Sequence, residues 1–286
     1  MNCERKILKN CTITGFADEI DKDIDKQIAL LKQIGVSYIE FRSGDGINVA
    51  DYTLEQARAL KEKLDANGIK VSAIGSPIGK IAIDDPMEPH LEKLAHVMDI
   101  AEILETRYIR MFSFFMPKGA EDLTPYREEV MNRTEAMVAL AAKRDMVLLH
   151  ENEKGIYGDI APRCVELMER FYGDNYRCTF DFANFVQSGQ DPLEAYHMLA
   201  PYVSYIHIKD AKADGGMVVP AGEGDGKLRE VFALLEEKGY EGFLSLEPHL
   251  TDFIGLQGLE QDVQKRGRSD GEAAFCQAHE ALLKLL

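Results

Sequence analysis

The stretch Val147-Leu148-Leu149-His150-Glu151-Asn152-Glu153 decides how the rest of the chain is read. Three consecutive aliphatic residues form a short run with the composition of a strand buried on both faces, and the run then breaks into charge. Glu151 falls where that strand ends, and Gly155 and Gly158 follow, as a loop requires. Charge at the C-terminal end of a buried parallel strand is where α/β enzymes place their chemistry. The same pattern recurs three more times downstream, each time with a residue able to bind a metal ion.

Outward from this run, strand patterns occupy residues 11–16, 36–42, 69–75 and 108–114 on one side and 178–182, 203–208 and 243–246 on the other, with 146–149 as the fifth of eight. Amphipathic stretches separate them. Ile24, Ile28, Leu31 and Ile34 give one buried stripe over residues 23–35. Thr53 and Gln56 form a capping box, and that helix stops at Asn67-Gly68. Leu91, Leu94, Val97 and Ile100 mark a long helix, 161–172 another, and 272–285 closes the chain. Eight strands alternating with helices point to a single (β/α)₈ TIM barrel. A doubly wound open sheet would have fewer strands and a glycine fingerprint after the first, which is absent. With no Gly/Ser/Pro-rich linker and no charge-block boundary, residues 1–286 read as one domain. The segments 211–226 and 251–270 are long for connections and read as lids, binding loops or disordered segments.

Composition limits the partners. Hydrophobic residues make up 45% of 286 and charged residues 29%, as in a soluble globule with a substantial core. The net charge of −16 repels phosphate backbones and anionic membrane surfaces, so neither nucleic acid nor membrane is expected as a partner. Cys3, Cys11, Cys164, Cys178 and Cys276 are scattered singly, the pattern of reduced thiols in a cytoplasmic protein. No apolar run approaches the roughly 18 residues of a membrane span, and the N-terminus lacks the apolar core of a signal peptide.

The candidate ligands are Glu151 (strand five), Asp181 (six), His207 (seven) and Glu247 (eight), on strands that are neighbours around a barrel. Alternation places Leu149 with Glu151, Thr179 with Asp181, Tyr205 with His207 and Ser245 with Glu247 on one face of each strand. If that face points inward, the four converge at the barrel mouth. Three crowded carboxylates repel one another and take up protons unless a cation sits among them. A divalent ion resolves the conflict: Mn²⁺ or Mg²⁺ by the oxygen-rich set, with Co²⁺ and Zn²⁺ as further candidates. Taken singly, each acid reads as a helix cap or solvated loop residue, and His207 as a core histidine. Four ligand types on four successive strand ends favour the metal site.

These residues carry a resemblance. His150-Glu151-Asn152, the segment from Thr179 through Asp181 to Asn184, the segment from Tyr205 through His207 and Lys209 to Ala211, and Leu244-Ser245-Leu246-Glu247-Pro248-His249 resemble the sugar phosphate isomerase/epimerase family, the xylose isomerase-like TIM barrels. Gly15-Phe16-Ala17-Asp18-Glu19-Ile20 and Gly75-Ser76-Pro77-Ile78-Gly79-Lys80 extend the likeness over essentially the whole chain. The resemblance implies one metal held by Glu151, Asp181, His207 and Glu247, with Glu151 and Glu247 also acting as acid and base. It implies a small carbohydrate substrate, a sugar or keto-sugar isomerised or epimerised through an enediolate. A lyase or dehydratase acting on a keto-sugar or keto-inositol is the first alternative, and a non-catalytic sugar-binding subunit the second. Self-association into a homo-oligomer is left open.

The sequence departs from the family in two places. The endonuclease branch needs extra histidines for three metals, whereas strands three and four here end in Gly75-Ser76-Pro77 and Phe114-Phe115-Met116. Many epimerases carry a substrate-binding histidine three residues after the strand-six Asp, where this chain has Asn184. Lys209, two residues beyond His207, faces the same way and is a candidate to polarise a substrate oxygen. Gly222-Glu223-Gly224-Asp225-Gly226 precedes a helix and offers amides for an anion, but Glu223 and Asp225 oppose phosphate. The loop therefore reads as hydroxyl recognition by Glu223 and a non-phosphorylated sugar. Arg42 and Lys80, near other strand ends, are further candidates for substrate contact. Phe112, Phe114, Phe115 and Met116 read as core packing, and Lys265-Arg266-Gly267-Arg268 as a solvated loop tip.

Overall fold

Eight parallel strands, β1 (Thr12–Gly15), β2 (Tyr38–Phe41), β3 (Lys70–Ile78), β4 (Tyr108–Met111), β5 (Val147–Glu151), β6 (Tyr176–Asp181), β7 (Val203–Ile208) and β8 (Phe243–Leu246), form one ladder in the order β1-β8-β7-β6-β5-β4-β3-β2. β2 returns alongside β1, so the sheet curls into a nearly closed barrel. The computed structural model describes residues 8–251 and 270–286. Most of the 251–270 loop and all of Lys265-Arg266-Gly267-Arg268 lie outside the described residues. Among the described residues no helix is long and apolar enough to cross a membrane.

Helices α1 (Ile24–Gln33), α2 (Leu54–Ala66), α3 (Glu88–Ile103), α4 (Arg127–Ala142), α5 (Ala161–Phe171), α6 (Phe182–Gln187), α7 (Pro192–Leu199), α8 (Leu228–Glu237) and α9 (Gly271–Leu283) connect and cover the strands. Their ends follow local chemistry. Asp23 caps α1 by accepting from the Asp25 and Lys26 amides. The Thr53–Gln56 capping box starts α2, with the Gln56 side chain accepting from the Thr53 amide at 2.8 Å and the Thr53 hydroxyl from the Gln56 amide at 3.1 Å. Such a cap stabilises a helix by about 1 kcal/mol. Asn67 closes α2, and Gly68 takes φ +69°, the left-handed conformation that suits glycine.

Six of the eight C-terminal strand ends differ from the sequence reading, β3 running on to Ile78 and β5 to Glu151, and two of the differences have a local cause. β4 stops at Met111, not at Phe114, because the chain turns there and Phe114 adopts φ +66°. β6 stops at Asp181, not Phe182, because the Asp181 side chain caps α6. The register places Asp181 opposite His207 across β6 and β7, and Ser245 opposite His207 across β7 and β8.

The alternation holds on the ligand-bearing strands and breaks on β3, where a register shift against β2 puts the adjacent Ser72 and Ala73 both inside the barrel. Val147, Leu149, Ala73 and Tyr205 form a small apolar cluster of their own inside the barrel, separate from the larger core between strands and helices. Above it lies a polar layer that includes Thr14, Glu40, Ser72 and Ser245, all 0–2% exposed. The candidate ligands follow at the C-terminal rim.

Candidate metal centre

Glu151 is the last residue of β5, Asp181 the last of β6, His207 lies near the end of β7, and Glu247 directly follows β8. Their ligand atoms all lie within 4.8 Å of one another, and all four side chains are buried. His207 Nδ1 is 2.9 Å from Glu151 Oε1, 3.6 Å from Glu247 Oε2 and 4.0 Å from Asp181 Oδ2. The convergence expected from strand alternation is therefore present.

Neighbouring groups aim each ligand. Asp181 Oδ1 accepts from the Asn184 amide at 2.7 Å, the cap that begins α6, and this turns Oδ2 toward the other ligands. Asn152 donates to the Asp181 carbonyl and accepts from the Asp181 amide, both at 3.0 Å, tying the ends of β5 and β6 together. The Asn184 side chain donates to the Asn152 carbonyl at 2.8 Å and to Glu151 Oε1 at 3.3 Å, which brings this sequence candidate to the site. The Lys209 ammonium lies 3.0 Å from Glu247 Oε2 and 3.1 Å from Asp181 Oδ2.

Of the two cations on the other side, sequence reasoning named Arg42, for substrate contact, and missed Arg110. Arg110, 2% exposed on β4, reaches Glu151 Oε2 at 3.2 Å and Glu247 Oε1 at 3.6 Å, and donates to the Gly75 carbonyl at 3.2 Å. Arg42 pairs with Asp18 at 2.8 Å, and with Glu19 and Glu247 at 3.2 Å each. A signal was available: an arginine within the apolar run Tyr108-Ile109-Arg110-Met111, and Glu40 with Arg42 alternating around Phe41, are charges on the inward face.

A second group, Glu19, Glu247 and His249, also lies within ligand distance. Here the Arg42 guanidinium supplies the positive charge, so the group reads as an ion-pair network that fixes Glu247. His249 takes φ +45°, sparsely populated for a non-glycine residue, and its amide donates to Glu19 Oε2 at 2.6 Å.

The electrostatics fit a divalent ion. Burial alone would raise Glu151, but the His207 ring and Arg110 overcome it and hold the carboxyl at about 2. Burial is likewise overcome at Glu247, which Lys209, His249 and His207 hold well below the usual range. Asp181 goes the other way: burial and the charges of Glu247 and Glu151 push it up to about 7 despite Lys209. Three carboxylates and an imidazole that retain a proton among them at neutral pH are a donor set suited to a hard or borderline cation.

Two other sequence candidates lie elsewhere. Lys80 is buried, pairs with Glu153 at 2.6 Å and stacks its ammonium 4.4 Å from the Phe112 ring centroid. Glu223 is exposed, and its carbonyl accepts from the Lys212 ammonium, so the structure does not bring its side chain into the buried group. The amides of the 222–226 loop do cradle an anion, but one from the chain itself. Asp210 accepts from the amides of Ala211, Gly222, Gly224 and Gly226 at 2.9 Å each. A Cβ at Gly224 or Gly226 would overlap that carboxylate, which explains the glycines. The sequence reading set Glu223 and Asp225 against an anion here and did not foresee Asp210 as the occupant.

The matches to known proteins agree with this fold. A family profile described as xylose isomerase-like TIM barrel matches residues 28–267. The chain belongs to this family. Among curated relatives, 3-dehydroshikimate dehydratase of Bacillus anthracis is 28% identical over 131 residues, 46% of each chain. Inosose dehydratase of Clostridium perfringens is 26% identical over 146 residues, 45% of this chain and 48% of the relative. The chain thus spans about half the length of the curated relatives it matches. The structure of D-allulose 3-epimerase from Methylomonas sp. superposes with TM-score 0.76 over 99% of this chain and all of that one. At 14% identity that likeness bears on the fold alone.

Proposed function

We propose that this chain is a divalent-metal-dependent enzyme that transfers protons on a small, non-phosphorylated keto-sugar, as an isomerase or epimerase. One observation carries the reading: Glu151 and Glu247 share a buried group with Asp181 and His207 while coming from strands with two others between them. A divalent ion held by these four residues, Mn²⁺ or Mg²⁺ by the oxygen-rich set, would supply Lewis-acid polarisation of a substrate carbonyl.

The chain's own groups then do the proton work. One glutamate takes the proton α to the carbonyl, giving an enediolate, and the other returns it to the adjacent carbon or the opposite face. Arg110 touches both carboxylates and keeps them ionised and in place. Lys209, beside Glu247, polarises a substrate oxygen, and Asn184, beside Glu151, orients a substrate hydroxyl. Glu223, on its exposed loop, is the outlying candidate for hydroxyl recognition.

A dehydratase reading is favoured by one specific finding, that the curated relatives cited above are dehydratases. The first step is shared. The same glutamate takes the α-proton, and a β-hydroxyl then leaves as water, protonated by an acid such as the Lys209 ammonium.

Turnover of a panel of ketoses and keto-inositols with Mn²⁺ in D₂O separates the readings. An isomer carrying deuterium supports isomerisation or epimerisation, and a product lighter by one water supports the lyase. Glu247→Gln is expected to reduce either rate by about 10²-fold or more. If the wild type binds sugars and turns none over, the enzyme reading fails and the binding-subunit alternative stands.

A further inference from the structure

The two ring nitrogens of His207 face different surroundings. Nδ1 looks into the group of candidate ligands. Nε2 points into the barrel, where Glu40 Oε2 lies 3.2 Å away, an ion-pair contact short of hydrogen-bond alignment. Glu40 sits on β2, is 1% exposed, and that ring nitrogen is its one ion-pair contact among the described residues. Burying a carboxylate is unfavourable unless something holds it.

One hydroxyl holds this one directly: Ser245 donates to Glu40 Oε2 at 2.6 Å. The Tyr205 hydroxyl lies 2.9 Å from Ser72 Oγ, which is 2.8 Å from Thr14 Oγ1. Five strands (β1, β2, β3, β7 and β8) therefore devote an inward position to this layer. Barrel interiors are ordinarily filled by branched aliphatic residues. An apolar layer would hold the barrel together at least as well, so the polar one calls for a task beyond stability.

Packing leaves a specific task. The His207 ring meets Phe16 edge-on at 5.2 Å and Tyr205 at 5.8 Å, each at 83°. These contacts set the ring plane but discriminate poorly between the two orientations related by a half-turn, which exchange the nitrogens. A fixed acceptor on one side does discriminate.

We propose that Glu40 is a positioning residue for the metal centre: it accepts the Nε2–H of His207, selecting the tautomer and ring orientation that leave the Nδ1 lone pair to the ion. Carboxylates in this outer position orient metal-binding imidazoles generally, and their loss weakens metal affinity by about 10–100-fold. The inference rests on the metal reading of Glu151, Asp181, His207 and Glu247.

The test is Mn²⁺ titration by calorimetry, with the visible spectrum of the Co²⁺-loaded protein as a probe of ligand geometry. Glu40→Leu is expected to weaken Mn²⁺ binding by about 10–100-fold and to change the Co²⁺ spectrum, while far-UV circular dichroism and the melting temperature of the metal-free protein hold or rise. Glu40→Gln, which keeps an acceptor oxygen, recovers part of the loss. Should Glu40→Leu fail to fold, Ser245→Ala withdraws the 2.6 Å donor and leaves the carboxylate in place, with weakening of about threefold or more expected. A folded Glu40→Leu or Ser245→Ala protein that binds Mn²⁺ within about twofold of wild type, with an unaltered Co²⁺ spectrum, overturns the proposal. Wild-type protein that takes up no stoichiometric metal overturns the metal reading itself, an outcome distinct from the first.

Discussion

The Lys209 ammonium lies 3.1 Å from Asp181 Oδ2, the same oxygen that faces His207 Nδ1 at 4.0 Å. A fixed positive charge therefore sits beside two of the four donors that an incoming cation would use. The two compete for the same lone pairs, while the ammonium stays within reach of a bound substrate.

Replacing Lys209 by Met separates these roles. Mn²⁺ binding is expected to tighten by roughly three- to tenfold as the repulsion is removed. Turnover is expected to fall by at least about tenfold as the polarising group is lost. Calorimetry and steady-state kinetics on the same preparation read both. Weaker metal binding in the variant would show that the ammonium supports the donors instead of competing with the ion.

Asp181 makes metal binding depend on pH. Burial and the neighbouring glutamates raise it from the ordinary 3.8 to about 7, so the metal-free native state holds a proton that the unfolded chain gives up. That proton stabilises the metal-free fold most fully below pH 3.8, and the contribution is lost as pH rises through about 7. A metal ion must expel the proton, so affinity should fall as pH drops below about 7, by up to about tenfold per unit. Titrations at pH 6 and 8 in buffers of different ionisation enthalpy would count the released protons. Flat affinity with no release would exclude this role for Asp181.

Asp210 organises the loop that follows β7. Asp210→Ala removes the acceptor from four backbone amides and is expected to lower stability by about 2–3 kcal/mol. Amide exchange at Gly222, Gly224 and Gly226 should accelerate while the β5 amides hold. Urea denaturation with residue-resolved hydrogen exchange is the measurement, and unchanged protection at the three glycines would refute the arrangement.

His150 gives an acid-sensitive term on the other side of its strand. Burial depresses it from 6.5 to about 4, and neither ring nitrogen has a hydrogen-bond partner among the described residues. The unfolded chain takes up the proton first, so stability is full above about pH 6.5 and is lost as pH falls toward 4. The shift corresponds to roughly 3 kcal/mol over that window, by order of magnitude. His150→Leu is expected to be near neutral at pH 7.5 and stabilising at pH 5. Equal effects at the two pH values would count against it.

What the sequence disclosed and what it hid follow from the same physics. Strand alternation exposed Glu151, Asp181, His207 and Glu247 because each breaks an apolar run at a rim position where burial needs a reason. Thr53 and Gln56 were legible because a capping box is local chemistry. Arg110, Asp18, Glu19 and His249 were not singled out, since their importance lies in partners more than a hundred residues away or on other strands. The β4 end was misjudged because Phe114 is hydrophobic and the left-handed turn it makes leaves no mark in composition. The glycines at 222–226 were seen as a cradle, but its occupant, Asp210, lies 12 to 16 positions earlier in the chain.

That occupant bears on which metabolites the loop turns away. Asp210 is tethered to the amides it satisfies, so its local concentration there exceeds that of free sugar esters, and mass action does not dislodge it. A dianionic ester reaching this loop finds its donors taken and a fixed negative charge in the way. On the proposed reading, discrimination against such compounds at this rim would be settled when the barrel folds, before any substrate arrives.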